Sequence, residues 1–289
     1  MGKATRTSRE RFLQLHPICI FCGGTEAATT VEHCPPRAMF QERKWPEGFE
    51  FPACAKCNHG SGDDDLLVSM IARMDPFKDL GSKDGRTPGM MKNVNRQYPG
   101  LLQKMLPTAI EARQTNRRLG VNATPGMTHQ EMGAVKIPEE IHSAVCVFAA
   151  KLAKAVYYFN TVKVFPKSGC LLLNWFTNAD LFQHGKYAPL ETLKDISGEI
   201  PVIQRTGKYL GDQFEYKLSI TDDNDIFIAQ VIFGKSFGMA VFGSTISGKL
   251  EDIVKRLRKD TDKNGPFAVI QSVLIQTTTT SGANISTAA

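Results

Sequence analysis

Cys19-Ile20-Phe21-Cys22 and Cys54-Ala55-Lys56-Cys57-Asn58-His59 enclose a segment that carries Glu32-His33 near its middle. Two cysteines with two residues between them present both sulfurs to one ion from a single tight turn. Two such pairs complete the tetrahedral four-thiolate shell of structural zinc, so Cys19, Cys22, Cys54 and Cys57 are expected to hold one Zn²⁺. A redox role for either pair is the weaker reading, because redox work needs only one pair, at the start of a helix that follows a strand. Cys34, Cys146 and Cys170 have no partner at ligand spacing and read as core or free thiols.

Working outward, Thr29-Thr30-Val31 and Phe49-Glu50-Phe51 read as strands, and Asp63 to Met74 reads as a helix. The helix has an acidic first turn, and Leu66, Leu67, Met70, Ile71 and Met74 recur at helical spacing. The local order is therefore strand, strand, helix. So short a unit has little apolar content of its own, and zinc would supply the missing folding free energy. The expected fold class is α+β. Residues 1–75 form the zinc-stapled module, 76–137 a basic connector with one helix over 100–118, and 138–270 a second α+β domain with antiparallel strands. Residues 271–289 form a strand end and a disordered tail. In the second domain a helix from Pro138 to Phe159 precedes strands at Cys170–Phe176, Pro201–Gln204, Glu215–Thr221, Asp225–Phe233 and Phe237–Phe242. A short charged helix over 249–258 follows. Gly234-Lys235-Ser236 lies between two strands, lacks the glycine spacing of a phosphate loop, and is discounted.

Lys and Arg total 35 against 29 Asp and Glu, a net charge of +6, which hints at a polyanionic partner. The cysteine count of seven is odd and no apolar leader opens the chain, so a soluble, cytoplasmic protein of a reducing compartment is expected, with no membrane partner. A homodimer is compatible with the sequence.

The combination of CxxC, Glu-His followed by proline, and CxxC-Asn resembles the HNH (ββα-metal) endonuclease superfamily, in its zinc-stapled branch, over residues 18–75. The resemblance implies a phosphodiester hydrolase acting on DNA. His33 is then the general base that takes a proton from the attacking water. Glu32 and Asn58 are the protein ligands of a catalytic Mg²⁺ or Mn²⁺. The family's middle Asn or His, expected on the second strand near Phe49–Phe51, has no counterpart here. The chemistry of the residues is compatible with these roles. A hard cation takes oxygen ligands, keeps several waters, and often needs only one or two protein groups. An imidazole titrates near neutral pH. Alternation along a strand sends Glu32 and His33 to opposite faces. Asn58 also suits a helix N-cap, His59 reads as solvated, and Asp63, Asp64 and Asp65 read first as helix-start residues. Arg37, Arg43, Lys44 and Lys56 lie close in sequence and are candidate phosphate contacts. The alternatives are a zinc-stapled nucleic-acid-binding protein without catalysis, and a nuclease acting on RNA.

Overall fold

The computed structural model describes residues 3–74, 85–122, 125–191, 193–195, 198–250 and 273–276. The chain is mixed α+β with antiparallel sheets. Helix α1 (Lys3–Leu15) leads into the first cysteine pair, and Arg9 donates to the Thr29 carbonyl at 3.2 Å. Strands β1 (Thr30–His33) and β2 (Glu50–Ala53) pair antiparallel, with His33 opposite Glu50 and Glu32 opposite Phe51. Helix α2 (Ala55–Gly60) begins directly after β2, and α3 (Gly62–Ala72) follows across Ser61. Leu67, Val68 and Met70 of α3 are fully buried, as the apolar spacing requires.

In the following segment, α4 (Arg86–Gln97), α5 (Leu101–Met105) and α6 (Ala109–Arg118) replace the single helix expected over 100–118. The break falls at Pro107. Leu106 before it is extended (ψ 124°), as the proline ring demands of its predecessor. Thr108 then starts α6 afresh through a capping box with Glu111. The sequence conceals α4 because glycine and asparagine dilute its helical propensity. Lys78 and Lys83, part of the expected basic surface, lie outside the described residues.

The long helix α7 (Glu139–Thr161) crosses one face of a five-stranded sheet. Its strands are β3 (Cys170–Thr177), β6 (Glu215–Ile220), β7 (Ile226–Phe233), β8 (Phe237–Ser244) and β9 (Val273–Gln276), in the order β6-β7-β8-β3-β9. Helices α8 (Ala179–His184) and α9 (Ala188–Glu191) and a two-stranded hairpin, β4 (Gln204–Arg205) with β5 (Lys208–Tyr209), lie between β3 and β6. The strand expected at 201–204 is thus confined to its last residue and the next. The period of two along β3 sorts its side chains: Leu171, Leu173 and Trp175 join the cluster that includes α7. Leu172 and Phe176 join a second cluster with Tyr187 and Leu190. From residue 251 the expected 249–258 helix lies outside the described residues, as does the tail over 277–289.

The larger cluster runs without interruption from Cys19 and Ile20, through α3 and α7, to Val241. Phe49, beside β2, stacks on Phe159 with ring centroids 4.9 Å apart and meets Phe214 and Tyr216 edge-on. The cysteine-framed segment and the sheet therefore share one core. Among the described residues no helix is long and apolar enough to cross a membrane.

Candidate metal centre and nucleic-acid interface

The sulfurs of Cys19, Cys22, Cys54 and Cys57 all lie within 4.8 Å of one another, and every cysteine is a free thiol. Zinc–sulfur bonds of about 2.3 Å place tetrahedral sulfurs ~3.8 Å apart, so small side-chain movements close the shell. The donor set fits a structural zinc. The first pair sits in a turn closed by Gly24 donating to the Cys19 carbonyl at 3.1 Å and Cys19 donating to Glu26 at 2.9 Å. Cys54 is the N-cap of α2, and its sulfur accepts from the Cys57 N–H at 3.4 Å. The positive end of that helix favours a thiolate. A hydrogen bond from the Cys57 thiol lowers the pKa of Cys19 to about 4, and the proton so held drives Cys57 in the opposite direction. A four-thiolate zinc centre keeps a net negative charge. Lys154, whose Nζ donates to the Phe21 carbonyl at 2.8 Å, places a cation beside it.

Gly23, next to Cys22, has φ +71°, and a Cβ there would stand 2.5 Å from the backbone nitrogen of Lys167. Both the left-handed conformation and the contact require glycine. Gly23→Ala is expected to lower stability by about 2 kcal/mol. Thermal melts of the zinc-loaded protein check this, and an unchanged midpoint would refute it.

The alternation along β1 separates Glu32 from His33. Glu32 points inward, where the Lys151 ammonium donates to Glu32 Oε1 at 2.5 Å, Asp65 Oδ2 at 2.7 Å and Ser61 Oγ at 2.7 Å. Burial pushes the carboxyl pKa values of Glu32 and Asp65 up, and Lys151 pulls them back. Burial and its two acidic neighbours raise Asp64 to about 6. Asn58 donates its side-chain N–H to Thr30 Oγ1 at 2.9 Å and to the Val31 carbonyl at 3.3 Å, tying α2 to β1. The two residues that the resemblance assigns to a hard divalent ion thus have different partners in this conformation. The Glu32 carboxylate already has a cation.

His33 faces the other way and is partly exposed. Its Nε2 lies 3.6 Å from Glu50 Oε1, across the strand pair, and its ring meets Trp45 edge-on at 4.8 Å. Trp45 also carries guanidinium groups: Arg205 is 3.6 Å from the ring centroid and Arg37 is 4.9 Å away. Burial first, then the charges of Arg37, Arg205 and Arg43, lowers the His33 pKa to about 4, so the imidazole is neutral at neutral pH. Arg37 is itself held below its usual value by burial and by Arg43. Lys44 is paired with Glu42, and Lys56 and His59 are exposed on α2.

Sequence reasoning missed Glu50, Trp45 and Arg205. Pairing the two strands in register would have set Glu50 opposite His33, close to where the family's middle residue was sought. Arg205 gave no signal, since it reaches the site only through the tertiary fold. Arg73 of the loop after α3 holds the 37–40 segment by donating to the Phe40 carbonyl at 3.1 Å.

No family model, curated protein or solved structure matches the chain. Among the described residues the four cysteines are the group of three or more His, Cys, Asp or Glu side chains placed to hold a metal ion.

Proposed function

We propose that the chain is a zinc-stapled phosphodiester hydrolase of the HNH type that acts on DNA, with His33 as its general base. The observation that carries this reading is the His33 face: an imidazole partly open to solvent, packed edge-on against Trp45, with the Arg37 and Arg205 guanidinium groups over the same ring. Such an arrangement offers a proton acceptor next to positive charge suited to an anionic phosphate. In the step proposed, His33 accepts a proton from water as the water oxygen bonds to phosphorus. One P–O ester bond breaks, the departing oxygen takes up a proton from solvent water, and His33 returns its own proton to solvent to complete the cycle. The guanidinium groups offset the negative charge that grows on the non-bridging oxygens. Glu50 Oε1 lies 3.6 Å from the imidazole Nε2 across the strand pair, near enough to favour the protonated ring once it has accepted the proton. Glu32 and Asn58 do not fit a Mg²⁺ or Mn²⁺ ion at that phosphate as they stand: Glu32 is buried on Lys151, on the face of β1 opposite His33, and would have to leave it to take part.

That last point favours one second reading. If Lys151 keeps Glu32 permanently, the chain is a zinc-stapled nucleic-acid-binding protein without catalysis.

Incubation of the purified protein with plasmid DNA and with RNA, with Mg²⁺, with Mn²⁺ and with chelator, separates the two. Cleavage is expected with the wild type, and His33→Ala is expected to lower the rate about a hundredfold or more with zinc content unchanged. Cleavage by His33→Ala at the wild-type rate would remove His33 from the chemistry. Nucleic-acid binding with no cleavage under any condition would leave the binding-protein reading.

A further inference from the structure

The hairpin β4–β5 is fastened to the loop that carries Trp45, far from it in sequence. Glu47 N–H donates to the Gln204 carbonyl at 3.0 Å, Arg205 donates to the Trp45 carbonyl at 3.2 Å, and the Thr206 N–H donates to the Glu47 carboxylate. The turn between the strands places Thr206 at φ +47° and Gly207 at φ +75°, the pair of positive angles that a two-residue type I′ turn requires. Glycine takes this conformation freely; a β-branched threonine does so only when its surroundings hold it there. In the loop that precedes Trp45, Glu42 and Arg43 are also left-handed, at φ +53° and +56°. Arg43 thus lies in one strained turn and Arg205 flanks the other, and Arg205 and Arg37 both lie over the Trp45 ring.

The acidic groups nearby are accounted for elsewhere. Glu50 faces His33, Glu42 pairs with Lys44, and Glu47 accepts from Thr206. Among the described residues no carboxylate lies within ion-pair distance of any of the three guanidinium groups. An arginine stacked on an aromatic face directs its N–H groups outward in the guanidinium plane, where they can bind phosphate oxygens; in Arg205 one of them is given to the Trp45 carbonyl and the others remain.

We infer that Arg205, positioned on the Trp45 ring, forms with Arg37 and Arg43 a seat for a backbone phosphate of a nucleic-acid strand beside His33. This rests on the phosphodiester reading above and assigns the strand-binding role to a residue of the β4–β5 hairpin. Arg205 binds the strand and orients it. The hairpin thereby completes a site begun by the cysteine-framed segment.

The test is binding of the full zinc-loaded chain to labelled DNA and RNA strands of one sequence, followed by fluorescence anisotropy over a salt series. Arg205→Gln is expected to weaken binding about tenfold or more, and to reduce the slope of log affinity against log salt by about one. Arg205→Lys is expected to recover part of the affinity, because it keeps the charge and loses the fork. Lys186→Gln, which removes an exposed charge paired with Glu191, is expected to change nothing. The polymer that loses affinity in Arg205→Gln identifies the strand. Arg205→Gln that melts like wild type and binds within about twofold of it, with the same salt slope, overturns the inference. If Arg205→Gln fails to fold, Arg43→Gln decides: that side chain is exposed and makes no hydrogen bond among the described residues, and wild-type binding by it overturns the inference. Arg205-dependent binding without cleavage by any variant sinks the nuclease reading and keeps the seat. Cleavage and binding at wild-type levels by Arg205→Gln and Arg43→Gln sink the seat and take these arginines out of the chemistry, while loss of that cleavage in His33→Ala keeps the nuclease.

Discussion

Cys54→Ser is expected to release the zinc and to collapse the packing of residues 18–75, with the largest loss of stability of any single change considered. Metal analysis of the wild type should give about one zinc per chain. Zinc binding by small thiolate sites contributes on the order of 10 kcal/mol, comparable with the whole stability of a typical domain at about 5–15 kcal/mol. Cys54 has two roles: its sulfur belongs to the four-cysteine group, and it caps α2. The damage should spread. Ile20 donates to the Pro52 carbonyl at 3.2 Å, and Phe21 meets Phe51 edge-on at 6.3 Å, so the first cysteine turn is packed against β2. Phe49, just before β2, is in turn packed on Phe159 and Phe214. Loss of zinc should therefore expose the edge of α7 as well as the cysteine turns. Limited proteolysis within 18–75 and a lowered thermal midpoint would register this. Cys146→Ala, a thiol outside the group, should keep the zinc. A Cys54→Ser protein that melts like wild type, or two disulfides among the four cysteines, would end the zinc assignment.

The cysteine group was legible because metal ligation is written in local spacing: two residues fix the bite of each pair, whatever the rest of the chain does. The strand–strand–helix order and the long α7 were legible for a similar reason, since period-two and helical patterns are local. The partners of the site residues were not. Lys151 reads in sequence as an interruption of an apolar helix, and only the packing of α7 against β1 and α3 brings it to Glu32 and Asp65. Arg205 lies in a stretch with little regular structure, and the strand expected at 201–204 hid the hairpin that carries it. The helix over 100–118 failed at Pro107, a residue whose effect is local and readable. The shared core was hidden by the assumption that a cysteine-framed unit stands alone. The apolar side chains of Phe49 and Phe51 could have warned otherwise, because a two-stranded sheet with one helix has little room to bury them.

Lys151→Met is expected to destabilise the protein by about 3–5 kcal/mol at neutral pH, because it strands two buried carboxylates that now share one ammonium. The side chains of Lys151 and Glu32 are 7% and 9% exposed, so solvent offers little compensation. The size of the loss should depend on pH. Burial raises the folded-state pKa values of Glu32 and Asp65, and removal of the lysine raises them further. A carboxyl group whose folded pKa lies above its unfolded value favours the folded state most below the unfolded pKa. That contribution is lost as pH rises through the folded value. The variant should therefore lie nearest to wild type in mild acid and furthest from it at neutral pH. Adding Glu32→Gln and Asp65→Asn to Lys151→Met should recover much of the loss, since the stranded charge, and not the absence of the pair itself, causes most of it. Denaturant titrations of the single and triple variants at several pH values measure both effects. A pH-independent loss would mean that packing of the lysine stem dominates. The same variant bears on the metal question: with Lys151 gone, Glu32 and Asp65 face each other without a cation. Mg²⁺ or Mn²⁺ should then stabilise Lys151→Met more than it stabilises the wild type, if these oxygens can hold a hard ion at all. Equal response in the two proteins would mean that the ammonium fills a position no divalent ion takes, and that any catalytic ion binds away from Glu32.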